Sequence, residues 1–335
     1  MKRQSNTIIF LAMKGPKMKK YGLFFITLLL FVSYCKGSTD VNGLVGNAEK
    51  LVKAGLRSTD ERIRANAIEV VSGSGRSELM GEVAALLNDP SVMVRFAAAV
   101  AVGDTNYSQA IEKLTQLTKD SDLNVVLASN YALCKMGKNK NYKVLEELAF
   151  NKNQVVQANA AMLLGKLGKK ESLPVLYKIK DCPDSSNTSA FNATEAIAKI
   201  GDERIYKKIW TMLISVYADD RYMGAHAMAA LGGSKGINAL LTLLDDEIAE
   251  VRLAAAEQLG TLGDISGKEV IAAYFREPAP ADKASAERCN SLAALAIGQI
   301  GDEQLAVHLP KLMQSGSPFV QLAAAKSVLM LDKLR

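Results

Sequence analysis

Apolar residues recur at helical spacing over residues 246–263, which read DEIAEVRLAAAEQLGTLG. The apolar positions are Val251, Ala255, Leu259 and Leu262. They stand at i, i+4, i+8 and i+11, the spacing of one stripe along an amphipathic helix. Asp246 precedes the stripe, where a carboxylate can cap free N–H groups, and Gly263 follows it, where a glycine can end a helix. The pattern predicts one capped helix with a single buried face.

The same pattern returns along most of the chain. It fits well at Val94, Val125 and Val156, and more loosely at Ile63, Ser189, Met223, Cys289 and Val320. Four of these copies, starting at Ile63, are each 31 positions apart. A fixed period of this length is typical of a solenoid of stacked helical hairpins.

A less regular helix precedes each patterned helix. The predicted ranges are 44–56, 78–87, 108–118, 142–150, 171–179, 203–216, 236–244, 267–275 and 303–313. Period-two alternation is nearly absent, so no sheet is expected. The prediction is an all-α fold, an α-solenoid of about nine helical hairpins.

Two hairpins carry longer connections, at residues 181–188 and 276–283. Both fall at the turn inside a unit, so both are expected on the same edge of the solenoid. Insertions on one edge often mark a binding edge, although tolerated surface loops fit the sequence equally well.

The repeats resemble HEAT repeats of the short type found in phycobilin lyases, over residues 44–335. The resemblance implies a right-handed solenoid. Three arginines match the family's arginine, and in the family this residue joins a ladder with aspartates of the turns. The arginines are Arg64, Arg95 and Arg252, and the aspartates are Asp60, Asp89 and Asp246. We expect them to brace neighbouring units.

Residues 17–35, KMKKYGLFFITLLLFVSYC, have the form of a secretory signal. The apolar core is too short for a comfortable span of a bilayer, which takes about 20 residues. The end resembles a bacterial lipoprotein signal, which implies lipidation of Cys35. Val32 and Ser33 fit that resemblance, whereas Tyr34 does not, so ordinary cleavage near Gly37 stays an alternative.

The predicted organisation is therefore a signal peptide over residues 1–34, a flexible tether over 35–43 and a solenoid over 44–335. Translation starts at Met1 or at Met18. The predicted location is the bacterial cell envelope, lipid-anchored at the periplasmic face or outer membrane. A soluble periplasmic or secreted protein is the alternative.

The net charge of +6 does not indicate a nucleic-acid partner. Residues 1–34 hold six of the 41 basic residues and no acidic ones, so the 35 basic residues that follow equal the 35 acidic residues. A nucleic-acid-binding solenoid would need a basic stripe.

The cysteines after the leader predict neither a disulfide framework nor a zinc site. Cys134 and Cys289 stand at repeat positions that predict burial, whereas Cys182 is expected to be exposed.

No catalytic motif, cofactor site or metal site is evident. His226 and His308 are the only histidines, and neither has an acidic neighbour at ligand spacing. The interpretation is that the chain is not an enzyme and has no small-molecule substrate.

The second helices are expected to line a concave wall with an apolar strip and a basic rim. The strip consists of Val100, Tyr131 and Met162, and the rim of Lys135, Lys166 and Lys199. Such a surface suits a peptide or a helix, although burial of these residues between the helical layers is the competing account.

The leading hypothesis is an exported, lipid-anchored scaffold that binds a protein or peptide partner through its concave surface. The second hypothesis is an accessory subunit of a lyase-like enzyme, which the repeat type suggests. The third is a nucleic-acid-binding solenoid, which the balanced charge argues against.

Overall fold

The computed structural model describes residues 41–278 and 280–334, and all regular structure within them is helical. Eighteen α-helices are joined by short turns, many of them 3₁₀ turns. Their bounds are α1 Val41–Leu56, α2 Glu61–Ser74, α3 Met80–Ala85, α4 Val92–Asp104, α5 Ile111–Leu117, α6 Leu123–Lys135, α7 Tyr142–Leu148, α8 Gln154–Leu167, α9 Leu173–Asp181, α10 Asn187–Lys199, α11 Tyr206–Leu213, α12 Ala218–Leu231, α13 Gly233–Leu241, α14 Ala249–Thr261, α15 Lys268–Arg276, α16 Lys283–Ile300, α17 Leu309–Met313 and α18 Pro318–Lys333.

Each odd-numbered helix and the even-numbered helix after it form one hairpin, so the described residues contain nine hairpins. The even-numbered helices pack against one another in chain order, which confirms the predicted all-α solenoid. Five of the nine odd-numbered helices are shorter than predicted, and in four of them, α3, α5, α11 and α17, the first predicted residues form 3₁₀ turns. Helix α1 begins at Val41, inside the predicted tether.

The predicted leader and the predicted lipidation site, Cys35, lie outside the described residues. Within residues 41–334, no helix has both the length and the apolar character that crossing a bilayer requires. Cys134 and Cys289 are buried and Cys182 is exposed, as predicted.

The stack of hairpins closes on itself, which the sequence did not indicate. Helix α18 packs against both α1 and α2, so the last hairpin meets the first. We call this interface the closing seam. Arg76 and Asp332 form an ion pair of 2.6 Å across it, and Lys326 lies 3.8 Å from Glu69. The nine even-numbered helices therefore form a closed ring.

Closure removes a problem that open solenoids have. Each terminal repeat of an open stack exposes an apolar face, which is usually covered by a special capping repeat. Here the two terminal faces cover each other, and Val52, Ala67 and Leu322 are all nearly inaccessible to solvent. The seam thus extends the hydrophobic core around the ring.

Glycines near the ends of four even-numbered helices allow the next even-numbered helix to approach closely. They are Gly103, Gly165, Gly260 and Gly298. A Cβ atom at Gly165 would lie 2.6 Å from the Cα atom of Ala196, a separation that real side chains do not have. The small residue in the repeat pattern is therefore required by helix packing.

Substituting Gly165 by alanine is expected to destabilise the protein by about 1–3 kcal/mol, because α8 and α10 must move apart. Gly46→Ala is the matched control, since a Cβ atom there would meet nothing within 4 Å. Thermal unfolding followed by circular dichroism measures both changes. Equal melting temperatures for the Gly165 variant and the wild type would contradict this account of the packing.

An arginine ladder joins neighbouring turns, but its register differs from the prediction. The Arg64 guanidinium donates to the Asp89 carboxylate at 2.8 and 2.9 Å, and also to the carbonyls of Ser58 and Thr59 in its own turn. Each arginine thus pairs with the aspartate of the following turn. Asp60 instead caps the start of α2.

The same arrangement recurs in two further hairpins. Arg95 pairs with Asp120 at 3.0 Å, and Arg221 pairs with Asp246 at 2.6 Å. Arg252 donates to the backbone carbonyls at the turn before α14. Asp120 and Arg221 were missed by the sequence pattern. The ladder arginine is the fourth residue of its helix, and in α12 the residue before it is Asp220 rather than an aliphatic one.

Candidate functional site

The turns inside the hairpins lie together on one edge of the ring, because successive hairpins stack in the same orientation. We call this edge, with the first residues of the even-numbered helices, the turn edge. The predicted insertions lie here, as residues 182–186 between α9 and α10 and residues 277–282 between α15 and α16. The turn edge is therefore the most elaborated part of the ring.

Large apolar side chains are exposed along this edge. Of the eleven large apolar residues that are exposed in the described chain, eight lie in the turns or at the starts of even-numbered helices. They are Val92, Met93, Leu123, Phe150, Val155, Ile214, Val216 and Tyr217. We call this set the apolar arc. It runs from the second hairpin to the sixth, and Val216 is 84% exposed. Single exposed apolar residues are ordinary, but a row on one edge indicates an interaction surface.

A cavity of about 610 Å³ opens on the same edge. Residues near the starts of α12, α14 and α18 and from the second and third turns of α16 line it, and we call it the lumen mouth because it lies between four neighbouring even-numbered helices of the ring. It contains three carboxylates, those of Asp219, Glu250 and Glu287, and one guanidinium, that of Arg288. Arg288 lies 3.2 Å from Glu250, which leaves the mouth with an excess of negative charge.

The walls of the lumen mouth are apolar and partly aromatic. Tyr222 contributes from α12 and Phe319 from α18, with Ile248 and Leu292 beside them. Arg62 places its guanidinium 5.9 Å from the centre of the Phe319 ring, across the closing seam. The mouth thus combines carboxylates with aromatic and aliphatic surface.

A second group of polar side chains lies deeper in the ring. Glu257 follows Glu250 by seven residues on α14, which places it two turns further along the same helix face. It is only 8% exposed. Burial raises the pKa of its carboxyl to about 7, although the ammonium of Lys326 on α18 opposes the rise and the carboxylate of Glu69 on α2 adds to it.

Tyr222 connects the lumen mouth with this deeper group. Burial raises the pKa of its phenol, and the nearby Glu257 carboxylate raises it further. Side chains of four even-numbered helices therefore influence one another near the centre of the ring. The deeper group comprises Glu69, Tyr222, Glu257 and Lys326.

The two histidines occupy different places. His226 lies one turn after Tyr222, with the two ring centres 4.8 Å apart, and burial lowers the pKa of its imidazole. Its Nε2 atom is buried and has no hydrogen-bond partner among the described residues.

His308 stacks on Phe275 with ring centres 3.9 Å apart. Within the described part of the chain, no group of three or more His, Cys, Asp or Glu side chains is placed to hold a metal ion.

The predicted concave groove is only partly assembled. Val100, Met162 and Lys166 line one cavity of about 390 Å³ on the inner wall, together with Asp104. Asp104 is an additional residue that the sequence did not single out. Its carboxylate lies 2.8 Å from the Lys166 ammonium.

The prediction that Tyr131 lies exposed in the groove is wrong. Its side chain is fully buried and its hydroxyl donates to the Asp104 carboxylate, because the close approach of α4 and α6 leaves the ring between the helical layers. Lys135 is exposed, and Lys199 pairs with Glu195 on its own helix at 2.6 Å. Neither lysine lines the cavity that Lys166 borders.

Comparison with known families finds HEAT repeats in two parts of the chain. The HEAT repeats family matches residues 48–134, which include α2 to α5, and a single HEAT repeat matches residues 237–266, which include α14. No curated protein matches the sequence significantly.

Solved structures with the same kind of fold include human deoxyhypusine hydroxylase in complex with glycerol. It is 17% identical, with 78% of this chain and 99% of that chain covered and a TM-score of 0.41. The complex of CpcE and CpcF of phycocyanin lyase from Nostoc sp. PCC7120 is 20% identical, with 76% and 94% covered and a TM-score of 0.44. The karyopherin Kap121p is 13% identical, with 84% and 37% covered and a TM-score of 0.35. At these identities the likeness concerns the fold alone.

The prediction that the chain is not an enzyme, which rests on the absence of a catalytic motif, is corrected here, because the fold leaves an enzymatic or lyase-like function open. The structures that share the repeat fold include an enzyme, deoxyhypusine hydroxylase, and subunits of a lyase. A stack of HEAT repeats therefore does not exclude catalysis.

Proposed function

We propose that this chain is an exported binding protein that holds a protein partner against the turn edge of its ring. The observation that carries the proposal is the apolar arc. Five consecutive hairpins contribute to this part of the edge, four with exposed apolar side chains and the fifth with the insertion at residues 182–186. Burying such a row against a partner would supply the apolar centre that protein interfaces have.

Burial of the exposed parts of the arc would contribute favourably to binding. Full burial of one large apolar side chain contributes about 1.5–3 kcal/mol, and micromolar affinity needs about 8 kcal/mol after the costs of association. The eight side chains of the arc could therefore support an interface of ordinary affinity. The inner wall was predicted from the sequence as the partner groove; we propose that its cavity with Val100, Met162 and Lys166 is instead a secondary contact.

The leader supports the proposed location. A basic start, a short apolar core and a cysteine make residues 17–35 similar to a lipoprotein signal. We propose that the mature chain is held in the bacterial cell envelope by a lipid on Cys35. Mass spectrometry of the mature N-terminus tests this, because an acylated Cys35, a free residue near Ser38 and an uncleaved leader have different masses.

Charged substitutions in the arc are expected to abolish partner capture. Val155→Asp combined with Val216→Asp places two carboxylates in the apolar centre of the interface, where each unpaired charge costs at least about 1.4 kcal/mol, or tenfold in affinity. Quantitative mass spectrometry of proteins crosslinked to the tagged chain in its own cell envelope measures the loss.

The matched control combines Ile265→Asp with Val307→Asp. These residues are 61% and 53% exposed, but they lie outside the arc, between one hairpin and the next. The partner should be enriched by the wild type and by the control and lost by the arc variant. Identical enrichment by all three proteins would rule out the arc as the docking surface.

A further inference from the structure

We propose that the lumen mouth receives a basic side chain, lysine or arginine, from the protein partner that docks on the turn edge. This inference rests on the proposed function and specifies the chemistry of the partner. The apolar arc and the lumen mouth share one edge, with the arc reaching the sixth hairpin at Tyr217 and the mouth beginning there at Ala218. A partner segment that covers the arc therefore passes the mouth.

The charge of the mouth selects a cation. Its carboxylates outnumber its guanidinium by three to one, and the guanidinium of Arg288 is already paired with Glu250. Asp219 is exposed at the first turn of α12, where an incoming group can reach its carboxylate. Across the seam, the Arg62 guanidinium of α2 interacts electrostatically with Glu287, so it offsets part of the negative charge of the mouth. An anionic partner group would be repelled here.

The walls of the mouth suit the rest of a basic side chain. Lysine and arginine carry aliphatic stems that pack on apolar surface while the charged end stays paired. Ile248 and Leu292 offer such surface, and the aromatic ring of Tyr222 can attract a cation through its face, whereas Arg62 already lies over the ring of Phe319. The volume of about 610 Å³ also leaves room for the residues beside the basic one.

An independent observation points the same way. Glu257, two turns further along α14 than Glu250, does not line the mouth itself, but it is more than nine-tenths buried and has no hydrogen bond or ion pair among the described residues. Tyr222 lines the mouth and lies within electrostatic reach of this carboxylate. Buried polar side chains normally have a partner, so a buried carboxyl group without one, two turns along α14 from the acidic residues of the mouth, favours a cationic ligand above it.

The test uses short acetylated and amidated peptides that combine leucines with one lysine, one arginine, or the uncharged norleucine. Fluorescence anisotropy gives the Kd of each for the purified full chain. We expect the lysine or the arginine peptide to bind at least about tenfold more tightly than the norleucine peptide, which corresponds to about 1.4 kcal/mol. Equal binding of all three peptides would overturn the inference.

Variants separate this inference from the proposed function. Asp219→Asn and the double variant Glu250→Gln with Glu287→Gln should weaken the basic peptides to the level of the norleucine peptide. Glu112→Gln with Glu147→Gln, on outer helices, is the control and should change nothing. If these mouth variants bind basic peptides as the wild type does, the mouth has no such role. The arc variant Val155→Asp with Val216→Asp should weaken all peptides, and its failure to do so would count against the docking edge itself.

Discussion

Leu322→Asp is expected to open the ring and to lower the melting temperature by about 10 °C. Leu322 is 2% exposed, and its methyl groups approach Gly55 so closely that a Cβ atom there would lie 3.2 Å away. An unpaired carboxylate at this buried place costs about 3–5 kcal/mol, which shifts melting by about 2–4 °C per kcal/mol in a chain of this size. The seam holds the two ends together without any covalent link. The lost free energy therefore destabilises the contact between the first and the last hairpin.

Small-angle X-ray scattering measures the opening as an increase in the maximum dimension, and hydrogen exchange should rise first in α1. Leu334→Asp is the control, because Leu334 follows the same helix and is 70% exposed. A scattering curve for the Leu322 variant that matches the wild type, at an unchanged melting temperature, would show that the seam does not depend on this contact.

Apolar packing, rather than the ion pairs, decides whether the ring stays closed. Arg76 and Asp332 are 18% and 31% exposed in their pair, and Glu69 opposite Lys326 is 73% exposed. Pairs at such exposure contribute at most about 1 kcal/mol each. Losing the Leu322 contact therefore outweighs losing either ion pair, and Arg76→Ala should leave the ring closed.

The sequence was sufficient for the hairpins because their signals are local. The stripe at Val251, Ala255 and Leu259 is buried as its spacing requires, and Cys134 and Cys289 are buried where they replace other small or apolar residues. Closure had no such signal. The residues of α18 that meet α1 follow the same pattern as those of every other even-numbered helix, and only the accumulated curvature of nine hairpins brings them together.

The candidate site was predicted less well than the hairpins. Inner-wall positions were assigned by counting along each helix, and this cannot show that α4 and α6 approach closely enough to bury Tyr131. The apolar arc, by contrast, left a signal in the sequence. Ile214, Val216 and Tyr217 occupy a turn, where polar residues are usual, so their apolar character could have been recognised as surface rather than core.

Glu257 and His226 make opposite contributions to the pH dependence of stability. Burial disfavours the charged form of both side chains, which raises the pKa of the Glu257 carboxyl from 4.5 to about 7 and lowers the pKa of the His226 imidazole from 6.5. The folded state thus holds a proton on Glu257 that the unfolded state releases above pH 4.5. It lacks a proton on His226 that the unfolded state takes up below pH 6.5.

Glu257→Gln is therefore expected to remove a loss of stability that the wild type shows as the pH rises. For Glu257 the stabilising contribution is complete below pH 4.5 and is lost between pH 4.5 and about 7, a change of about 3 kcal/mol at 1.36 kcal/mol per pKa unit. The amide stays uncharged, so the variant should equal the wild type at pH 4.5 and exceed its free energy of unfolding by about 3 kcal/mol above pH 7.

The groups that face Glu257 are Tyr222 on α12, Lys326 on α18 and Glu69 on α2, and His226 follows Tyr222 on the same helix. Urea unfolding at a series of pH values, with the exposed Glu147→Gln as the control, isolates the contribution of Glu257. If the variant and the wild type lose stability in parallel between pH 4.5 and 7, the ammonium of Lys326 keeps Glu257 ionised in the folded ring. Lys326 would then be the cation that pairs with the Glu257 carboxylate.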